Sequence, residues 1–396
     1  MTFQVLDDRK QCFGVYYNGQ FIYDRIPEAL NRTWTWCPHL VGHQIDFAHI
    51  WIGGSTLDKI GPPHLQDRYE IRSRKIQGFL RAASNAKINL DDVCLFDIVP
   101  RQHLLHYCEI KNELCDWIFE NHERPQNHTF MVDLMEMCHD ISQNVVSIDL
   151  QSLFRHSKVD KKAYYLFNQV KAEKQRILYD VWGSITGRLT TKPGSFPILN
   201  LKKEIADCVV PKNDLFVQFD FNGAEIRTLL SLAGKEQPQE DIHEWNMKNI
   251  YHDIDDRSKA KQRFFAWLYN PNSNDYETEK FYNRTEILKK HYNNGIITTP
   301  FGRKIKSDDF HALNYLLQST SSDNCLYSTI KLNKRLKGKK SFLHSVVHDS
   351  VTIDLSLSER HLITELFELF ADTKLGRFET SVQASRNLRD FERLKW

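Results

Sequence analysis

None of the eight cysteines, at 12, 37, 94, 108, 115, 138, 208 and 325, forms a C-x2-C pair. That excludes a zinc ribbon or a thioredoxin-type motif and favours free thiols in a reduced, cytoplasmic setting. No run of ~18 apolar residues occurs, so no transmembrane helix is expected. The start, MTFQVLDDRKQ, lacks the basic and apolar regions of a secretory signal. Net charge is almost absent: 53 Lys plus Arg stand against 51 Asp plus Glu, leaving +2. This argues against a uniformly basic nucleic-acid coat and leaves room for a local basic groove. Internal repeats and low-complexity tracts are missing as well. What remains is ordinary globular material, 396 residues with 41% hydrophobic and 26% charged, enough for two or three domains at ~150 residues each.

Along the chain the pattern changes. Residues 1–60 read as short strands, QVL, CFGVYY and QFIYDRI, with the Asn18-Gly19 pair of a tight hairpin between the last two. Gly53-Gly54 and Gly61-Pro62-Pro63 break this region. Over 61–150 apolar residues fall three or four apart, in IRSRKIQGFLRAA, HLLHYCEIKNELCDWIFENH and FMVDLMEMCHDI, which predicts a helical block. Beyond it, RILYDVWGS reads as a strand running into Gly187-Arg188, LFVQFDF as a buried strand and EIRTLLSLAG as a helix ending at Gly234. Residues 235–300 are polar and helical, and SFLHSVV and VTIDL flank His348-Asp349 as strand, turn and strand. Strands and helices in separate blocks predict an α+β fold.

Two carboxylates stand where a sheet would present them at one edge: Asp220 at the end of an apolar strand and Asp349 at a hairpin tip. Converging carboxylates suit two-metal phosphoryl transfer. Mg²⁺ takes one or two carboxylates plus phosphate oxygens, and two ions clamp the attacking and leaving oxygens. Taken singly, Asp220 also reads as a helix N-cap and Asp349 as a turn former. Arg257, Lys261, Phe265 and Tyr269 recur every four residues, a slanting stripe on one helix, first cationic and then aromatic. Cations hold polyphosphates and rings stack on a base or sugar. An amphipathic helix with Phe264, Phe265 and Trp267 in the core accounts for the same spacing.

Together these segments resemble the family A (polymerase I-like) DNA polymerases, with four motifs in that family's order between about Arg176 and Asp354. They are TGRLTTKPGSFPILN at 186–200, DFNGAEIR at 220–227, the R-x3-K-x3-F-x3-Y stripe at 257–269 and VHDS at 347–350. Asp241-Ile242-His243 and Asn314-x3-Gln318 support them. The resemblance implies a right-hand polymerase fold: palm at 151–234 and 301–396, fingers at 235–300, and a thumb-like region at 61–150. It implies a compact, phage-type DNA polymerase that extends a primer on primer–template DNA with dNTPs.

Carried over by position, Asp220 and Asp349, with the Phe221 carbonyl, would hold two Mg²⁺ ions, for which Mn²⁺ can substitute. Arg257, Lys261 and His243 would bind the triphosphate, and Lys261 would also serve as general acid. Phe265 would pack on the sugar and base, Tyr269 would border the forming pair, and Glu225 would exclude a ribose 2′-hydroxyl. Arg188, Asn314 and Gln318 would probe the minor groove, whose acceptors every correct pair shares. His348 would touch the primer end. The chain departs from the pattern at Ser350, Asn270, Phe310 and Asn222-Gly223-Ala224, and in a longer Arg188-to-Asn200 spacing.

A proofreading exonuclease needs a set of carboxylates for which residues 1–60 hold only degenerate counterparts, Asp7-x-Arg9 and His43-Gln44-Ile45-Asp46-Phe47-Ala48. An inactive remnant without proofreading and an unrelated β-rich cap both fit. Lys202-Lys203, Arg257–Arg263 and KLNKRLKGKK at 331–340 are expected along a DNA path, the last lying after the Asn314/Gln318 helix. RSRK at 72–75 reads better as a solvated helix face. Two other functions stay open. One is an RNA-making relative of the same palm, against which Glu225 argues. The other is a catalytically silent primer–template binder, against which Asp220, Asp349 and Lys261 argue. No membrane partner is expected, and no motif identifies a protein partner.

Overall fold

The computed structural model describes residues 4–5, 15–17, 20–22, 25–34, 44–48, 52, 55–88, 90, 93, 95–270 and 272–394. They pack into two units, Met1–Glu136 and Met137–Trp396. In the first, Val15–Tyr17 pairs antiparallel with Gln4–Val5 and Gln20–Ile22, and Arg32–Thr33 pairs parallel with Asp46–Phe47. Strands are thus present in this region, but each is only two or three residues long. Asp7, Arg9, His43 and the Asn18-Gly19 and Gly53-Gly54 pairs lie outside the described residues.

The long helices of the unit are α1 (Pro63–Asn85) and α2 (Arg101–Asn121), and α3 (His128–Gln143) carries the chain into the second. The buried residues of α2 are Leu104, Tyr107, Cys108, Ile110, Lys111, Leu114, Cys115 and Ile118. That three-and-four spacing puts one stripe of α2 against a core. Its first turns meet Ile76 and Leu80, and its last turns meet Trp34, Ala48 and Leu65. Lys111 is tolerated there because its ammonium lies 3.2 Å from the Trp34 ring centroid, a cation–π contact. In RSRK, Arg74 pairs with Glu70 one helical turn away, as on a solvated face.

The second unit begins with α4 (Leu150–Ser157) and α5 (Lys161–Ala172). It is built on a five-stranded antiparallel sheet of β1 (Leu215–Phe221), β2 (Phe342–Val347), β3 (Ser350–Leu355), β4 (Thr380–Ser385) and β5 (Glu392–Arg393). The strand order is β2-β3-β1-β4-β5. Because β1 is central, alternate side chains are covered on opposite faces. Phe219 and Phe221 stack on Phe370 of a helix at Ile363–Ala371, with centroids 5.9 and 4.3 Å apart. Phe216, of the other parity, meets His344.

Between β1 and β2 run α6 (Ala224–Leu232), α7 (Ile242–Asn249), α8 (Arg257–Tyr269), α9 (Tyr276–Tyr282), α10 (Arg284–His291) and α11 (Ala312–Leu336). Phe264 and Trp267 of α8 anchor a core with Tyr251, Tyr282, Leu316 and Leu317. Helix α11 is buried along most of its length, including the polar run Ser319–Asn324. Two of its hydroxyls return to the helix's own carbonyls, Ser319 Oγ to Tyr315 O at 2.6 Å and Thr329 Oγ1 to Cys325 O at 2.8 Å, and Ser322 Oγ donates to Gly187 O at 3.3 Å.

Two expectations are corrected. RILYDVWGS contributes only the strand Tyr179–Asp180, because the Asp180 carboxylate accepts the Trp182 N–H at 2.9 Å and turns the chain. The basic run 331–340 does not follow the Asn314/Gln318 helix but starts inside it, since α11 continues to Leu336.

Candidate active site

Sheet register brings Asp220 and Asp349 together. Asp220 of β1 is the partner of Ser350 on β3, and the Phe221 N–H donates to the Asp349 carbonyl at 3.5 Å. The β2–β3 connection is the two-residue turn His348-Asp349, with His348 in the left-handed region at φ 56°. Asp349 is therefore a turn residue in addition to any other role. Asp220 is not a helix N-cap: Gly223 holds that position in α6. Glycine is required there, since φ is +66° and a Cβ would lie 2.6 Å from Ile242 Cγ2.

Burial, with a contribution from Asp349, pushes the Asp220 carboxyl up to about 7. Burial also raises Asp349, and Glu225 adds to it. Among the described residues no donor hydrogen-bonds the Asp220 carboxylate. Two half-buried, mutually repelling carboxylates form a donor set that suits a hard divalent cation. The Phe221 ring is in the core, so only its backbone carbonyl could join them. Among the described residues no group of three or more His, Cys, Asp or Glu forms a metal cluster.

A cavity of about 370 Å³ adjoins this edge. Asp349, His348, Glu225 and Arg188 line it, as do Arg257, Lys261 and Phe265 of α8. His243, Ser321 and Ser322 also reach it, whereas Asp220 is not on its wall. Helix α8 satisfies both readings of its sequence on different faces. Phe264 and Trp267 are fully buried, while Arg257, Lys261 and Phe265 face the cavity. Lys261 has no carboxylate partner among the described residues, and its ammonium lies 6.0 Å from the Phe265 ring. Arg263 is different: Asp253, Asp275 and Glu277 all bind it, so it braces the fold.

Arg257 is held in place through the fold. Its Nη2 donates to Asp241 Oδ2 at 2.6 Å, and Asp241 also caps α7 by accepting from the His243 N–H at 2.9 Å. Asn222, next after β1, donates to Asp241 at 3.0 Å and accepts from the Ile242 N–H at 3.3 Å. Burial alone would raise Asp241, but Arg257 and Asn222 outweigh it and hold the carboxyl well below its usual range. Arg227 of α6, fully buried, clamps the next loop through the carbonyls of Asn222, Pro238 and Glu240 at 2.6–2.7 Å. Burial lowers His243 to about 4, helped by Arg257 and Lys261, so its ring is neutral near pH 7.

Glu225 is doubly held, by Arg188 at 2.8 Å and by the Tyr269 hydroxyl at 2.6 Å. Tyr269 stacks on Phe265 with centroids 5.6 Å apart and planes 9° from parallel. Arg188 is placed by Gly187, where a Cβ would come within 2.4 Å of the Arg303 guanidinium. Arg303 in turn makes a two-pronged bond to buried Asp323 of α11, at 3.0 and 2.7 Å.

Other expected residues lie apart. Gln318 donates to Asn314 at 2.6 Å, and Asn314 lines a separate cavity of about 770 Å³ beside Tyr269 and Phe310. Lys202 is paired with Asp160, and neither it nor exposed Lys203 lines the 370 Å³ cavity. In the basic run, Lys331 donates to the Asp372 carbonyl and Arg335 binds Glu365 at 2.6 and 2.8 Å. Sequence reasoning missed Asn222, Arg227, Ser321 and Ser322. Arg227 alone had a signal, a charge among the apolar residues of EIRTLLSL, which requires buried partners.

No family model and no curated protein matches this chain. Among solved structures it is similar to the POL domain of Pol1 from M. smegmatis in complex with DNA primer-template and dNTP, at 13% identity. The TM-score is 0.61, over 73% of this chain and 76% of that one. At that identity the likeness is one of fold, and the fold is that of a DNA polymerase POL domain.

Proposed function

We propose that the chain is a template-directed DNA polymerase of the family A type, extending a primer 3′ end with dNTPs and releasing pyrophosphate. One observation carries the reading: two half-buried carboxylates meet at a sheet edge beside a cavity that Arg257 and Lys261 also line. Palm (151–234 and 301–396), fingers (235–300) and thumb-like (61–150) regions follow the sequence motifs in this reading. Residues 1–60 offer no intact carboxylate set for 3′–5′ proofreading in this reading.

Asp220, Asp349 and the Phe221 carbonyl would hold two Mg²⁺ ions. Bound there, such ions favour the deprotonated primer hydroxyl and neutralise charge on the leaving pyrophosphate. The chain's own groups do the rest. Arg257, oriented by Asp241, and unpaired Lys261 bind the triphosphate, and Lys261 can pass a proton to the leaving oxygen. Neutral His243 donates a hydrogen bond without adding charge. Phe265 packs on the incoming sugar and base, Tyr269, stacked on Phe265, borders the forming pair, and Glu225, fixed from two sides, bars a 2′-hydroxyl.

Primer extension with Mg²⁺ tests this. Wild type should extend a recessed primer, and Asp349→Ala should lose at least about 100-fold in rate, since such metal sites supply several kcal/mol. A wild type that binds primer–template without extending it would leave a silent binder instead. Fixation of Glu225 favours DNA over RNA synthesis. Glu225→Ala should raise ribonucleotide use relative to dNTPs by about tenfold or more, as loss of a steric discriminator does. Wild-type preference for ribonucleotides would overturn the DNA reading.

A further inference from the structure

Helices α4 and α5 form a hairpin outside the catalytic cavity, and its surface is unusual. Residues 154–174 hold six Arg and Lys against two acids, Asp160 and Glu173. Asp160 is already occupied, capping α5 at the Ala163 N–H and binding Lys202. Arg155, Lys158, Lys161, Lys162, Lys171 and Lys174 are exposed, and none has a carboxylate partner among the described residues. Unneutralised cations at this density repel one another and invite a polyanion.

Aromatic rings are interleaved with them. Phe154 is 47% exposed, Tyr164 53% and Tyr165 60%. Phe154 and Phe167 meet across the hairpin with centroids 5.3 Å apart. Ammonium groups sit beside the rings: Lys158 lies 4.7 Å from the Phe154 centroid, Lys171 5.4 Å from Phe167, and Lys161 5.9 Å from Tyr165. The hairpin's inner side is spent on anchoring. Leu153, Ala163 and Leu166 are buried, and His156 and Ser152 hold Asp207 at 2.9 and 3.4 Å. Rings and ammonium groups therefore project from a fixed platform.

We propose that this hairpin is a binding surface for unpaired nucleic-acid strand, its lysines following the phosphates and Tyr164, Tyr165 and Phe154 stacking on bases. The rings decide for single strand over duplex. Inside a duplex the base faces are already stacked, whereas every unpaired base offers a π-face. A lysine-only surface would have no such preference. This surface stands independently of nucleotidyl transfer, because it shares no residue with the catalytic cavity.

The test measures fluorescence anisotropy of a labelled oligo-dT with the full-length protein, without Mg²⁺ or dNTP. Four probes are compared: oligo-dT, an abasic oligonucleotide of equal length, a blunt duplex and an acidic peptide. Tyr164→Ala/Tyr165→Ala should weaken oligo-dT binding about tenfold, since each stacked base contributes strongly, and leave abasic and duplex binding unchanged. Lys161→Gln/Lys162→Gln/Lys171→Gln should weaken oligo-dT and abasic binding alike and reduce the log–log salt slope by about 2, at ~0.7 per phosphate contact. Every substituted side chain is exposed, and an unchanged thermal midpoint will show that the fold is intact. Equal losses on duplex and oligo-dT, or no loss on either, would overturn the proposal, as would preferential binding of the acidic peptide. Asp349→Ala should bind oligo-dT like wild type, so a failure here and a failure of primer extension are distinguishable.

Discussion

Asn222 shows how one side chain links the sheet to the cation that faces the cavity. It stands directly after β1, and its amide joins Asp241 to the N-terminus of α7. Asp241 then holds Arg257 at 2.6 Å. Losing Asn222 removes one charge-assisted and one ordinary hydrogen bond, together about 2 kcal/mol. In the proposed polymerase reaction Arg257 binds the nucleotide in ground and transition states alike, so Asn222→Ala should raise KM for dNTP about tenfold while kcat changes less. In an Arg257→Ala background the same change should add little, and steady-state kinetics of the double-mutant cycle checks this. If the effects of the two substitutions simply add, Asn222 does not act through Arg257.

At the scale of an element, α11 is the least expected part of the fold. Its run STSSDN looks like surface sequence, yet Ser319 to Asn324 are all buried. Short polar side chains let neighbouring segments approach closely: Ser319 and Thr329 bond carbonyls of their own helix, whereas Ser322 reaches the Gly187 carbonyl at 3.3 Å. Asp323 needs Arg303 as its counter-charge. Asp323→Asn leaves a buried guanidinium unpaired and should cost about 3–5 kcal/mol, whereas Arg303→Met/Asp323→Leu should cost far less. Urea unfolding of both variants measures the difference. Equal losses would mean that packing around Gly187, not charge, dominates there. Helix α8 is the contrasting case, since its spacing left two readings open and both apply: Arg257 and Lys261 face the cavity, Phe264 and Trp267 are buried, and Phe265 lines the cavity while packing against the core.

For the molecule as a whole, a net charge of +2 conceals local imbalance. Paired carboxylates gather at one sheet edge, and lysines without a carboxylate partner among the described residues gather on the α4–α5 hairpin. Buried histidines add a dependence on pH. Burial lowers His139, His243 and His344 to about 4 each. A group whose folded value lies below its unfolded value of ~6.5 takes up protons preferentially on unfolding. The histidine contribution to stability should thus be constant above about pH 7 and fall as pH drops from ~6.5 toward 4, each histidine contributing up to ~1.4 kcal/mol per pH unit. Asp220, raised to about 7, acts with the opposite sign over the same range. His344→Leu, in the sheet beside Phe216, should flatten that limb in denaturant titrations at stepped pH. An unchanged slope would mean that His344 does not stay neutral in the fold.

Local patterns in the chain determined much of this protein. Periodicity located the helices of 63–143 and 257–269, and apolar runs located β1, β2 and β3, because one-sided burial imposes a repeat on the sequence. Residue types and their order singled out Asp220, Asp349, Glu225, Arg257, Lys261 and Phe265 for one chemistry. Only the tertiary structure decided their partners. That Glu225 is held by Arg188 and Tyr269, that Lys202 is committed to Asp160, and that Asn222 and Arg227 brace the site are long-range pairings. Register and packing select them, and no spacing along the chain records them.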